Sequence, residues 1–204
     1  MLQKNSQSII AIDTETTGLD HYKHELIEFS GFRLGPDQKI LEELTLKVEM
    51  ERPEDADPES LKINRYHDRD WSSSVSQKEA ASEIAGFLDG CIMVGHNINF
   101  DRRFVAKMMS KTKTRHKIPF RMIDTKTLCI AHLSRYGLNE YSLNKCCDFL
   151  SIDMSAHHTA RSDALACLEI YRILCPVNPI KSLILHNQLM SGGRLRSRDF
   201  LKMF

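Results

Sequence analysis

Three short stretches of the chain gather acidic and imidazole side chains at spacings suited to metal-assisted hydrolysis. The first, IIAIDTETTGLD, sets Asp13 and Glu15 two residues apart at the end of a β-branched run. Residues two apart on a strand project to the same face, so both carboxylates stand side by side if the strand continues through Glu15. Two anions that close repel unless a positive charge lies between them, and a hard divalent cation with oxygen ligands is the usual solution. Taken alone, such a pair is more often a solvated strand edge or a cap.

The second stretch, VGHNINFDRRF, runs from an apolar strand into His96 and Asn97 and then into a helix with Asp101 near its start. An acid there is also an ordinary partner for the helix dipole. In the third, AHHTARSDALACLEIY, His158 and Asp163 are five positions apart at the opening of a strongly helical run. Five helical residues turn through about 500°, which leaves the two side chains roughly 140° apart. For both to serve one site, His158 must precede the regular helix and Asp163 lie within it, with Thr159 as the N-cap.

The elements that must position these groups follow from periodicity. Ser8 to Ile12 predicts a first strand, and ELIEFSGFRL and ILEELTLKVEM, alternating around the turn signal GPDQ, predict an antiparallel hairpin or meander. Helical spacing from about Ser74 to Leu88 precedes a buried strand in CIMVGH and a helix in NFDRRFVAKMMSK. A basic linker, KTKTRHK, leads to a strand in PFRMID and to helices around TKTLCIAHL, SLNKCCDFL and RSDALACLEIYRIL. Strands first as a meander and then alternating with helices indicate a mixed sheet covered by helices, an α/β layered domain.

Composition sets outer bounds. A chain of 204 residues, 42% hydrophobic and 27% charged, supports one sizeable core without a shift that marks two domains. Its 28 basic and 27 acidic residues nearly cancel, so contact with a polyanion must come from local patches. The six cysteines lack paired CxxC or zinc spacing and are expected as reduced core thiols. With neither a signal-like start nor a stretch of transmembrane length, a cytoplasmic protein without membrane contact is expected. The domain is expected over residues 1–179. Residues 180–204 form a basic, partly amphipathic extension, read as a docked helix with a tail in preference to a partner-binding segment.

Taken in order, DTETTGL, HNINFD and HTARSDA resemble the three motifs of the DEDDh (DnaQ-like) 3′-5′ exonucleases, over about Ile9 to Leu174. The resemblance implies a ribonuclease H-like fold, a five-stranded mixed sheet with helices on both faces. It implies that Asp13, Glu15, Asp101 and Asp163 bind two divalent cations, Mg²⁺ or Mn²⁺, and that His158 is the general base; the pattern H-x-A-x-x-D starts at His158, which disfavours His157. Two metals can lower the pKa of the attacking water and steady the leaving 3′ oxygen, and a histidine with a pKa of about 6.5 can take the water's proton near neutrality. Thr16, Thr17 and Leu19 would meet the 3′-terminal nucleotide, while Asn97 either caps the Asp101 helix or touches the sugar-phosphate backbone.

The implied function is release of nucleoside 5′-monophosphates from nucleic-acid 3′ ends, single-stranded DNA foremost and RNA as the alternative. Two other readings stand beside it: a proofreading subunit held by a DNA polymerase through residues 180–204, and a nucleic-acid-binding module without turnover. The presence of all four acids and the histidine weighs against the last. A homodimer is a further arrangement left open. Asp124 in MIDT is expected to cap or to hydrogen-bond in the core. Phe100 is expected in the core, and the linker at Lys111 to Lys117 as a solvated loop in preference to a backbone contact.

Overall fold

The computed structural model describes residues 8–115, 118–154 and 159–176. Its frame is a five-stranded mixed sheet in the order β3-β2-β1-β4-β5. The central strand β1 (Ile9–Thr16) pairs antiparallel with β2 (Leu26–Leu34), which pairs antiparallel with the edge strand β3 (Ile40–Lys47). On its other side β1 runs parallel to β4 (Ile92–Gly95), and β4 parallel to β5 (Met122–Asp124). The expected meander and turn are present: the Gly35 N–H donates to the Lys39 carbonyl, and Gln38 takes a left-handed conformation at φ 63°.

The two faces of β1 differ in what they bury. Ile10 and Ile12 point into a core shared with Phe29 and with two helices, α2 (Gln77–Leu88) and α3 (Asn99–Lys111). Helix α2 presents Ala80, Ile84, Phe87 and Leu88, and α3 presents Phe104, Val105 and Met108, apolar positions recurring at helical spacing. Ala11 points the opposite way, toward Ala164 and Leu168 of α6 (Ala160–Leu174). The outer side of α6 is covered by α4 (Thr125–Leu133) and α5 (Leu143–Leu150) through Cys129, Cys146, Cys147, Leu150 and Ile170. Helices thus cover both faces, which is why β2 is buried along nearly its whole length.

Several expectations are met with shifted boundaries. Strand β1 continues through Thr16, and α2 begins at Gln77 because the Ser76 hydroxyl accepts the Glu79 N–H and caps it there. All six cysteines are free thiols, five of them buried and Cys175 half-buried. Asp124 caps α4 by accepting the Lys126 and Thr127 N–H groups, and Phe100 packs against the main core. Residues 180–204, with the expected docked helix and tail, lie outside the described residues.

One ordered segment has no counterpart in the hydrophobic pattern. Between β3 and α2 the polar, proline-bearing chain forms a 3-10 turn at Pro53–Asp55, the short helix α1 (Pro58–Ile63) and a second 3-10 turn at Tyr66–Asp68. Its order comes from hydrogen bonds: Asp57 caps α1, the Asp57 N–H donates to the Thr17 carbonyl at 2.7 Å, and Asn64 Nδ2 donates to the Thr16 carbonyl at 2.8 Å. These bonds tie the segment to the end of β1. Trp71 stacks on Tyr66 at 4.5 Å between ring centroids and donates to the Tyr66 carbonyl, so its ring serves packing.

Among the described residues no helix is long and apolar enough to cross a membrane. Close approach at the end of β4 sets the start of α3: a Cβ on Gly95 would lie 2.7 Å from Ile98 Cδ1 and 3.1 Å from the Ile12 carbonyl oxygen. Gly95→Ala therefore overpacks the β1–β4–α3 junction and is expected to lower stability by about 1–3 kcal/mol, measured by urea denaturation. An unchanged midpoint would show that the junction relaxes freely.

Candidate active site

Parity along β1 builds the site. Asp13 and Glu15 share the face of Ala11, toward α6, and Asp163 lies in the first turn of that helix. Carboxylate oxygens of Asp13, Glu15 and Asp163 all lie within 4.8 Å of one another. Helix α6 begins where a capping box stops further chain from joining it: Thr159 Oγ1 accepts the Ser162 N–H, and Ser162 Oγ accepts the Thr159 N–H. Ser162 Oγ also donates to Asp163 Oδ1 at 3.1 Å. The Thr159 cap matches the sequence expectation and places Asp163 where the helix dipole favours an anion.

Asp101 arrives from the other side of the sheet. It sits in the first turn of α3, only 3% exposed, and its Oδ1 accepts the Thr14 hydroxyl at 2.8 Å. Thr14, between the two acids of β1, points opposite to them and so clamps the α3 carboxylate to the same strand. The strand that carries two acids therefore also holds the third element of the site in register.

The electrostatics are those of buried carboxylates that repel one another. Burial, followed by the charges of Asp101, Asp163 and Glu15, raises the Asp13 carboxyl well above the ordinary range. Burial and the charges of Asp163 and Glu28 push Glu15 from 4.5 up to about 8, against the opposing pull of Arg69. Burial lifts Asp101 to about 7 despite the hydrogen bond from Thr14. All the converging ligand atoms are hard oxygens, the donor set that a divalent cation of the Mg²⁺ class takes, and such a charge would relieve the repulsion.

Two residues that sequence reasoning did not single out complete the surroundings. Glu28 lies opposite Glu15 on β2 and is buried; Arg69 grips it with both terminal nitrogens, Nη1 donating at 2.9 Å, and the Ala160 N–H at the start of α6 donates to it at 3.3 Å. Glu28 was readable as an acid interrupting an apolar strand. Arg69 sits in the polar segment before α2, where periodicity carries no signal.

Other expected site residues fall into distinct environments. Thr17 is fully buried and its hydroxyl accepts the Glu25 N–H, while the buried Thr16 hydroxyl donates to the Gly18 carbonyl. Leu19, by contrast, is 78% exposed. Asn97 is exposed at φ 63°, with its N–H donating to Asp124 Oδ1 and its carbonyl accepting the Phe100 N–H; the N-cap of α3 is Ile98, without a side-chain cap. Both ring nitrogens of His96 are engaged, one with Thr125 Oγ1 and one with the Tyr141 carbonyl, which gives it a packing role. His158 lies outside the described residues, immediately before the Thr159 cap.

Against known proteins, the family model described as Exonuclease (RNase T) matches residues 10–171. The chain is 28% identical to the DNA polymerase III subunit epsilon of Treponema pallidum (strain Nichols) over 162 residues, 79% of this chain and 73% of that protein. It is 27% identical over 192 residues to ribonuclease T of Histophilus somni (strain 129Pt), covering 85% of each. The fold overlays E. coli exonuclease I, solved in complex with a dT13 oligonucleotide, at a TM-score of 0.72 and 14% identity, over 90% of this chain. The chain spans 44% of the length of that exonuclease I. With residues 10–171, and so all five strands of the sheet, accounted for by the match, the chain belongs to the RNase T family of exonucleases.

Proposed function

We propose that the chain is a metal-dependent 3′-5′ exonuclease that removes nucleoside 5′-monophosphates from the 3′ end of single-stranded nucleic acid, DNA foremost. The observation that carries this reading is the convergence of the Asp13, Glu15 and Asp163 carboxylates, whose oxygens lie within 4.8 Å of one another. Asp13, Glu15, Asp101 and Asp163 would hold divalent cations, Mg²⁺ or Mn²⁺. Bound there, such ions supply an activated water and stabilise charge on the phosphoryl and leaving oxygens.

The chain's own residues divide the remaining work. The capping box at Thr159 and the clamp from Thr14 hold Asp163 and Asp101 against the sheet. His158, one residue before that cap, takes the proton of the attacking water near neutral pH. Leu19, exposed beyond the acid pair, packs against the terminal base; Asn97, exposed at the start of α3, reaches the sugar-phosphate backbone. Thr16 and Thr17 shape this turn from inside through their bonds to Gly18 and Glu25. The likeness to a polymerase III epsilon subunit favours a second setting, in which residues 180–204 bind a polymerase. Co-purification with a polymerase that is lost on deleting 180–204 supports that setting, and isolation as an active, unassociated protein counts against it.

His158→Ala is expected to lower kcat on a 3′-labelled dT oligonucleotide by about 10²–10³-fold while Mn²⁺ affinity stays near wild type. Parallel loss of both would make the histidine structural. Metal-free stability should also respond to pH. Between pH 4.5 and about 8 the unfolded chain ionises Glu15 while the folded chain keeps its proton, so stability falls as pH rises through that window. Metal-free Glu15→Gln is accordingly expected to melt above wild type at pH 8, with the gap closing toward pH 5, and Mg²⁺ should raise the wild-type Tm more at pH 8 than at pH 5. Identical melting of the two proteins across this range would contradict the repulsion described.

A further inference from the structure

We propose that the outer face of α3, with the loop following the first acid pair, is a binding groove for the single strand that leads to the candidate active site; the proposal rests on the exonuclease reading above. Helix α3 buries Phe104, Val105 and Met108 and turns a basic stripe outward. Arg103 and Lys107 are four residues apart, with Lys111 four further on, and Arg102 flanks them, so their side chains line one side of the helix. These residues, with His21 and Tyr22, border an open groove of about 460 Å³ whose lining holds four cationic side chains and no carboxylate. That volume is within the range that accommodates small organic ligands, roughly 300–1,000 Å³.

The cations are unequally committed. Lys111 is paired with Glu25 and Glu51, and Lys107 Nζ donates to the His24 carbonyl at 2.8 Å. Arg102 and Arg103 make no ion pair with a carboxylate among the described residues, and Arg103 is exposed. In a protein whose charges nearly cancel, this concentration is a local positive field.

Aromatic rings accompany the charge. Tyr22 is 79% exposed and lies 4.1 Å, centroid to centroid, from His21, which is held edge-on to the buried Phe104 at 6.3 Å. Phe120 is 86% exposed, with the Arg102 guanidinium 5.9 Å from its centroid. Exposed rings beside cations bind unstacked bases and their phosphates together, a combination that a paired duplex, with its base faces covered, does not satisfy.

Continuity with the acids gives the groove a direction. Helix α3 begins beside Asp101, and its stripe runs from Arg102 to Lys111, about 13 Å along the axis. Leu19, exposed, lies between the acid pair and Tyr22 in the chain. A strand with its 3′ end at Asp13 passes Leu19, stacks on Tyr22 and lays its upstream phosphates along Arg102, Arg103 and Lys107.

The test compares substrate lengths. Full-length wild type, Arg103→Glu and Tyr22→Ala are assayed on dT2 and dT16 with Mg²⁺, and binding of 5′-fluorescein dT16 is followed by anisotropy in Ca²⁺ across salt concentrations. Each variant is expected to lower the ratio of kcat/KM for dT16 to that for dT2 about tenfold and to weaken dT16 binding. Arg103→Ala should reduce the slope of log K against log salt by about 0.7, one phosphate contact on a single strand. Unchanged dT16 affinity, or equal losses for both lengths, overturns the proposal. If wild type cleaves neither substrate the exonuclease reading fails, and the anisotropy comparison still decides the groove.

Discussion

Repulsion among carboxylates forced into one place is the constraint around which this structure is organised. Asp13, Glu15 and Asp163 bring oxygens within 4.8 Å of each other, and burial raises the proton affinity of Asp13, Glu15 and Asp101 together. A surface cluster of acids would splay apart into water. Here the acids are fixed because each belongs to an element pinned by core packing: β1 at the centre of the sheet, α6 on one face and α3 on the other. The hydrophobic core therefore holds the anions in a conformation that they destabilise, and a divalent cation among them would relieve that cost.

The surrounding polar bonds serve the same end. Arg69 balances Glu28, which would otherwise add a further negative charge beside Glu15. Glu28 in turn receives the Ala160 N–H, tying the first turn of α6 to β2, while Thr14 ties the first turn of α3 to β1. Asp57 and Asn64 fasten the segment before α2 to the carbonyls of Thr17 and Thr16, closing the turn that follows the acids. Strand, helices and connecting segment converge on the last residues of β1, where a register shift between Glu15 and Thr16 ends the regular pairing.

How far the molecule was legible in its sequence depends on the kind of signal. The strand periodicity of IIAIDTET placed Asp13 and Glu15 on one face, and the helical run after Thr159 placed its cap, because both follow from local geometry. The order of strands around β1 and the burial of Asp101 against Thr14 came from chain crossings that no local pattern encodes. The segment from Pro53 to Asp68 was unread because hydrogen bonds, with little apolar burial, order it. The motif did not show the partners of the Thr16 and Thr17 hydroxyls: the first donates to the Gly18 carbonyl and the second accepts the Glu25 N–H of the returning chain. The basic face of α3 was written plainly as RRFVAKMMSK; only the fold shows that its cations share a groove with Tyr22.

The acid cluster as a divalent-cation site is tested most directly by a crystal structure of the full chain soaked in Mn²⁺, with anomalous difference maps collected at the manganese edge. Anomalous peaks bounded by the carboxylate oxygens of Asp13, Glu15 and Asp163 are the predicted result. Their absence at a Mn²⁺ concentration that supports hydrolysis, or peaks confined to other residues, would contradict it.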